Sequence, residues 1–173
     1  ATLRALLGRV PSLVELAVRT NELIHATSPS NKFVTAILLQ LFPVSGKAVY
    51  VNAGHGDCMI IRGDGTVERL ESTGLPLGMM PPEMLEMLGK GYEEKHLEFN
   101  AGDLLALYSD GVTEAYDIDE NEWGDERLLE CLRPILDSSS ESIVGEVFAA
   151  IDDFAQTAPQ HDDITLMIIK RIH

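Results

Sequence analysis

The chain has 173 residues, 45% of them hydrophobic and 24% charged, a balance that suits one soluble globular domain with a single core. Its 28 acids against 13 bases leave a formal charge of −15, which repels phosphate backbones and anionic membranes and argues against nucleic acid as a partner. Only Cys58 and Cys131 are present, and no apolar run reaches the roughly 20 residues of a membrane span, so neither a disulfide framework, a thiolate zinc site nor a membrane anchor is expected, and the cytoplasm is the expected compartment.

The first nine residues, ATLRALLGR, have helical composition with no capping residue before them, and read as the back half of a helix in a longer polypeptide. Ser12-Leu13-Val14-Glu15 has the spacing of a capping box and predicts a helix running to about Ala26, with Leu13, Leu16, Ala17, Leu23 and Ile24 on its core face and His25 complementing its C-terminal dipole. The period then changes. Phe33–Phe42, KAVYVNAG, DCMIIRG and TVERLES are strand-length runs separated by Ser45-Gly46, Gly54-His55-Gly56 and Gly63-Asp64-Gly65, the pattern of an antiparallel meander. Phe33–Phe42 is apolar on both faces and predicts a central strand.

Gly74-Leu75-Pro76-Leu77-Gly78 and Met79–Pro82 predict a loop, followed by a short amphipathic piece over Glu83–Leu88; the four methionines there, Met79, Met80, Met84 and Met87, read as flexible core filling. Tyr92–Phe99 and Leu104–Ser109 are two more strand candidates. Acids at alternate positions in Asp117–Asn121 suggest a calcium loop, but Glu122 stands where glycine is needed and Leu128 where glutamate is, so Asp117–Gly124 reads as an acidic surface loop anchored by Trp123. Helices follow over Asp125 to about Arg133, where Pro134 ends or bends the first, and Ser140–Ala155, and a last strand begins at Asp163.

Two strand ends carry the chemistry. Ser109-Asp110-Gly111 and His161-Asp162-Asp163 put carboxylates beside apolar runs with no lysine or arginine close in sequence. A bound cation compensates such charge, and oxygen donors favour magnesium, manganese or calcium over zinc. Asp-Gly is equally a common turn dipeptide, with glycine supplying a positive φ. Side-chain alternation would turn Asp162 and Asp163 to opposite sides if the strand has begun by then, leaving one of them for a metal. A Ser/His/Asp system from Ser109, His55 and His161 is a weaker rival, because no Gly-x-Ser-x-Gly elbow is present.

In order along the chain, FVTAILL (33–39), VNAGH (51–55), STGLPLG (72–78), GDLLALYSDGVTEA (102–115) and QHDDITLMII (160–169) resemble the bacterial branch of the metal-dependent type-2C protein phosphatases, which includes the stage II sporulation protein E and stress-response phosphatases. The resemblance implies an α+β fold: a four-layer α/β/β/α sandwich of two antiparallel sheets flanked by helices, with residues 1–173 the C-terminal portion of one phosphatase domain and its N-terminal strands missing. It implies two manganese or magnesium ions that activate a water for attack on phosphoserine or phosphothreonine. Asp110 and Asp162 match metal ligands of the family, with Gly111 and Asp163 in support, and no catalytic residue is implied beyond the ligands.

The family's upstream Gly-Asp and Asp-Val-Ser-Gly-Lys-Gly segments, which carry the remaining metal aspartates, have no counterpart in these 173 residues, so two carboxylates alone are not expected to hold the bridged pair. The implied partner is a phosphorylated anti-sigma factor antagonist, with a sensor or receiver domain upstream and the oligomeric state open, a homodimer included. The alternative is a catalytically degenerate module that keeps the fold as a protein-interaction surface.

Overall fold

The computed structural model describes residues 10–29, 31–56 and 58–172, so the helix expected over the first nine residues lies outside them. The fold is two antiparallel sheets flanked by helices, as expected. The described residues form two compact units, one of residues up to 56 with Glu71–Phe99, the other of Cys58–Leu70 with the residues from Asn100 onward.

The first unit begins with α1, Leu13–Thr27. Ser12 caps it, its hydroxyl accepting from Glu15 N at 3.1 Å. Reciprocal capping by Glu15 is replaced by two other contacts: the Glu15 carboxylate accepts from Arg19 Nε (2.9 Å), and Glu94 Oε1 accepts from the Leu13 amide (2.7 Å). A carboxylate there complements both the orphan amides and the positive end of the helix. Strands β1 (Ala36–Phe42), β2 (Lys47–Ala53) and β5 (Lys95–Glu98) form a three-stranded sheet in the order β1-β2-β5, and a short helix α2 (Pro82–Met87) completes the unit. Ala17, Val51, Ala53, Leu77, Leu85 and Tyr92 make its buried cluster.

The second unit holds β3 (Cys58–Ile61), β4 (Val67–Leu70), β6 (Leu104–Tyr108) and β7 (Leu166–Lys170), in the order β4-β3-β6-β7, with helices α3 (Asp110–Thr113), α4 (Gly124–Leu132) and α5 (Ser140–Ala155). The Ile143, Val147 and Ile151 stripe of α5 is buried with Met59, Ile61, Leu104, Ala106, Leu128 and Trp123 in one cluster, as the helical spacing and the anchoring role of Trp123 predict.

Several expectations are corrected. The four runs from Phe33 to Leu70 are not one meander: β2 pairs with β5 and β3 with β6, so the chain changes sheet at Gly54–Gly56. Local turn signals fix that a strand ends, while its partner is set by tertiary packing. The run Phe33–Phe42 is not a covered central strand. Regular pairing starts at Ala36, β1 lies at one end of the described sheet, and Phe33 and Val34 are 54% and 48% exposed. Apolar content reports hydrophobicity and leaves position in a sheet undetermined. The methionines are only partly core: Met80 packs on the first unit's cluster, whereas Met79, Met84 and Met87 are exposed, because the six-residue α2 buries Leu85 alone. Pro134, by contrast, acts as expected: α4 ends at Leu132 and the chain continues into a single 3₁₀ turn, Arg133–Ile135, that holds the proline.

Candidate metal centre

Strand β6 is fully buried over Leu104–Ala106 and carries an acid at each end with opposite fates. At its start, Asp103 is 2% exposed and fully engaged: Arg62 Nη1 donates to it at 2.7 Å, and the amides of Asn100 and Gly63 donate at 2.8 and 3.2 Å. Burying a carboxylate demands this compensation. At the far end the backbone turns into α3 at Asp110, and this acid is exposed.

The Asp-Gly dipeptide is not a turn of the predicted kind. Asp110 and Gly111 are the first residues of a short helix, and Gly111 is absent from the positive-φ glycines among the described residues. Glycine is required at 111 for a different reason. A Cβ there would lie 2.5 Å from the carbonyl oxygen of Asp163 and 3.0 Å from its carbon, both backbone atoms that cannot swing aside. Ser109 completes the junction: its amide donates to Thr165 O (3.0 Å), its hydroxyl donates to Asp163 O (3.0 Å), and the hydroxyl accepts from Thr165 N (2.9 Å). The two motifs are therefore latched backbone to backbone.

Asp162 and Asp163 are both exposed, and β7 begins only at Leu166, so the strand alternation invoked to separate them does not apply. They differ by hydrogen bonding instead. Asp162 Oδ1 accepts from the Asp163 amide at 2.7 Å, and the Asp162 carbonyl accepts from Gln160 Nε2 at 2.7 Å, so the loop presents the Asp162 carboxylate in a fixed local conformation. The Asp163 backbone carries the latch.

These positions fit part of a hard-cation site. Exposed carboxylates at the β6–α3 junction and in the loop before β7, beside a backbone approach that a single Cβ would block, are oxygen donors suited to magnesium or manganese. Among the described residues, no group of three or more His, Cys, Asp or Glu is placed to hold a metal.

The nucleophile reading finds no support. Ser109 Oγ spends its donor and an acceptor on the Asp163–Thr165 backbone. His161 stands edge-on to the Tyr116 ring, centroids 5.3 Å apart. In the other unit, the His55 backbone amide donates to Asn52 Oδ1 (2.8 Å) and its ring Nδ1 lies 3.4 Å from Thr35 Oγ1, while His25 Nδ1 lies 3.1 Å from Gly78 O.

The VNAGH and STGLPLG segments also have a structural account within the first unit. The Asn52 amide donates to Thr73 Oγ1 (3.0 Å) and the Thr73 amide to Asn52 O (2.8 Å). A Cβ on Gly54 would meet Pro76 at 2.5 Å, one on Gly74 the Tyr92 ring at 2.4 Å, and one on Gly78 Ile24 at 2.4 Å. Sequence reasoning missed the Ser109 latch, although Ser109 immediately precedes the acid it positions; it also missed Asn21, an apolar-face asparagine.

The stage II sporulation protein E family model matches residues 1–172. Protein IcfG of Synechocystis sp. is 30% identical over 90% of this chain and 24% of its own length. The phosphoserine phosphatase RsbU of Bacillus subtilis is 26% identical over 87% of this chain and 43% of its own. The chain thus spans less than half the length of these curated relatives. Among solved structures, the phosphatase domain of the cell fate determinant SpoIIE from Bacillus subtilis, presoaked with manganese, superposes with a TM-score of 0.64 at 19% identity, covering 99% of this chain and 70% of that one.

Proposed function

The chain belongs to the stage II sporulation protein E family, and on that premise we propose that it forms part of a metal-dependent phosphatase domain that hydrolyses phosphoserine or phosphothreonine on a regulatory protein. The observation that carries the reading is the latch that joins the Asp110 and Asp162 strand ends through Ser109 and Gly111. Asp110 and Asp162 would ligate manganese or magnesium. Gly111 keeps α3 against the Asp163 carbonyl, and Asp163 holds the loop through its backbone.

A bound divalent pair supplies charge stabilisation for phosphoryl oxygens and makes a water acidic enough to attack at neutral pH. The chain's own part would be positional: the latch ties the backbone beside Asp110 to the backbone beside Asp162, and Asp110 is exposed at the start of the short helix. The other ligands would come from elsewhere in the parent polypeptide. The proposed substrate is a phosphorylated anti-sigma factor antagonist in the cytoplasm; the likeness to the phosphoserine phosphatase RsbU supports phosphoserine as the ester that is cleaved.

The test is phosphate release from a phosphoserine-bearing antagonist protein by the full-length parent protein, with and without manganese. Manganese-dependent release that Asp110→Asn lowers by roughly a hundredfold or more is expected, since even residues that only support metal ligands cost about 10–100-fold when changed. The other reading is a degenerate module that keeps the family fold and binds a partner without hydrolysis. Manganese-independent binding of the antagonist with no release at any metal concentration would decide for it.

A further inference from the structure

The Asp162 side of the candidate centre adjoins a cavity of about 280 Å³ inside the second unit, lined by α3, the end of α5 and the loop before β7. Its volume lies below the roughly 300–1,000 Å³ of pockets that enclose drug-sized ligands, which suits one long side chain rather than a cofactor. Buried Ile151 and half-buried Ile164 provide apolar lining, while Glu114, Asp152 and Asp162 line it as exposed carboxylates. Tyr116 is a fixed part of the lining, its hydroxyl donating to Glu122 Oε1 at 3.1 Å. No lysine or arginine is among the described lining residues.

Lysine and arginine bury a methylene stem against apolar surface while the charged head stays at the water boundary. A cavity with apolar lining and exposed carboxylates, and with no lysine or arginine among its described lining residues, matches that side chain in both parts, while the imidazole of His161, also in the lining, stands edge-on to Tyr116. We infer that this cavity receives a lysine or arginine of the phosphoprotein substrate, a few residues from its phosphoserine, and that Glu114 and Asp152 set this preference. The inference rests on the phosphatase reading, because Asp162 is what puts the cavity beside the reacting phosphate. A cation held by Asp162 would use that charge, leaving Glu114 and Asp152 for the substrate.

The experiment measures kcat/KM of the full-length protein, with manganese, on three phosphoserine peptides that differ only in carrying lysine, alanine or glutamate at the flanking positions. The lysine peptide is expected to exceed the alanine peptide by roughly fivefold, the upper end for a pair of exposed charges, and the advantage shrinks with added salt. In Glu114→Gln/Asp152→Asn the lysine-to-alanine ratio falls to about one, and in Asp152→Lys the glutamate peptide becomes the better substrate. Both ratios are internal to each variant, so a partial loss of folded enzyme does not imitate them. Equal turnover of the three peptides by the wild type, or a lysine preference that survives in the double variant, overturns the cavity assignment and leaves the phosphatase reading standing. No release from any peptide or from the phosphorylated antagonist contradicts the phosphatase reading and this inference with it.

Discussion

Asn21 has no accessible surface, yet its amide is hydrogen-bonded at both ends: Nδ2 donates to Met80 O (3.0 Å), while Oδ1 accepts from the Gly78 amide (2.8 Å) and the Tyr92 hydroxyl (3.2 Å). One buried polar side chain on α1 thereby ties down the loop around Gly78. Burial pushes the Tyr92 hydroxyl up to about 12 from the ordinary 10. The folded state thus holds this proton more tightly than the unfolded chain, so the associated stability is fully present below pH 10 and is lost as pH rises through 10 toward 12. Tyr108 is shifted the same way by burial and by its hydrogen bond to Asp125. Tyr92→Phe should therefore be less stable than wild type at neutral pH, by about 1 kcal/mol for the lost hydrogen bond, and should show a shallower alkaline loss. Urea unfolding at several pH values across that window checks this; parallel alkaline slopes for the two proteins would contradict it.

Glycines 74 and 78 were legible as loop formers, and the structure sharpens why they are glycines: each faces a side chain, Tyr92 or Ile24, at a distance no Cβ tolerates. Such approaches depend on residues far away in sequence and leave no local signature. Gly111 is the same case, read from its neighbour Asp110 as a turn and found instead in a helix under the Asp163 carbonyl.

At the level of elements, β6 and β7 pair from Leu104↔Lys170 to Tyr108↔Leu166, and the Ser109 bonds to Asp163 and Thr165 continue that contact past the last paired residues. The two acid-bearing segments thus leave the sheet together. Ser109→Ala keeps the backbone bond to Thr165 O but removes both hydroxyl bonds. A loss of about 1–2 kcal/mol is expected, with faster hydrogen exchange at the Thr165 amide and little change at Ile168 inside β7. Unchanged exchange at Thr165 would show that the hydroxyl is not the latch. Helices were the most legible elements because capping residues and apolar spacing are local: Ser12 caps as its spacing to Glu15 predicts, and Ser139, not singled out from the sequence, caps α5 in the same way by accepting from Ser142. Glu94 at the start of α1 was not legible, since its role rests on a contact 81 residues away in sequence.

For the whole molecule, the resemblance carried by five ordered motifs supplied the sheet arrangement that periodicity alone did not. Read locally, the strands from Phe33 to Leu70 form a single meander; in the structure they divide between two sheets, each completed by strands from later in the chain. The candidate site was legible to the extent that Asp110 and Asp162 stand beside apolar strands, but their joining depends on the β6–β7 pairing, which no local pattern encodes. The central claim is that these two strand ends form one metal-binding unit. It is tested most directly by calorimetric titration of manganese into the full-length protein and into Asp110→Asn, Asp162→Asn and the double variant. Each single change is expected to weaken binding by at least about tenfold, with the double variant falling short of the sum because both act on one site. Wild-type affinity retained in both single variants would contradict it.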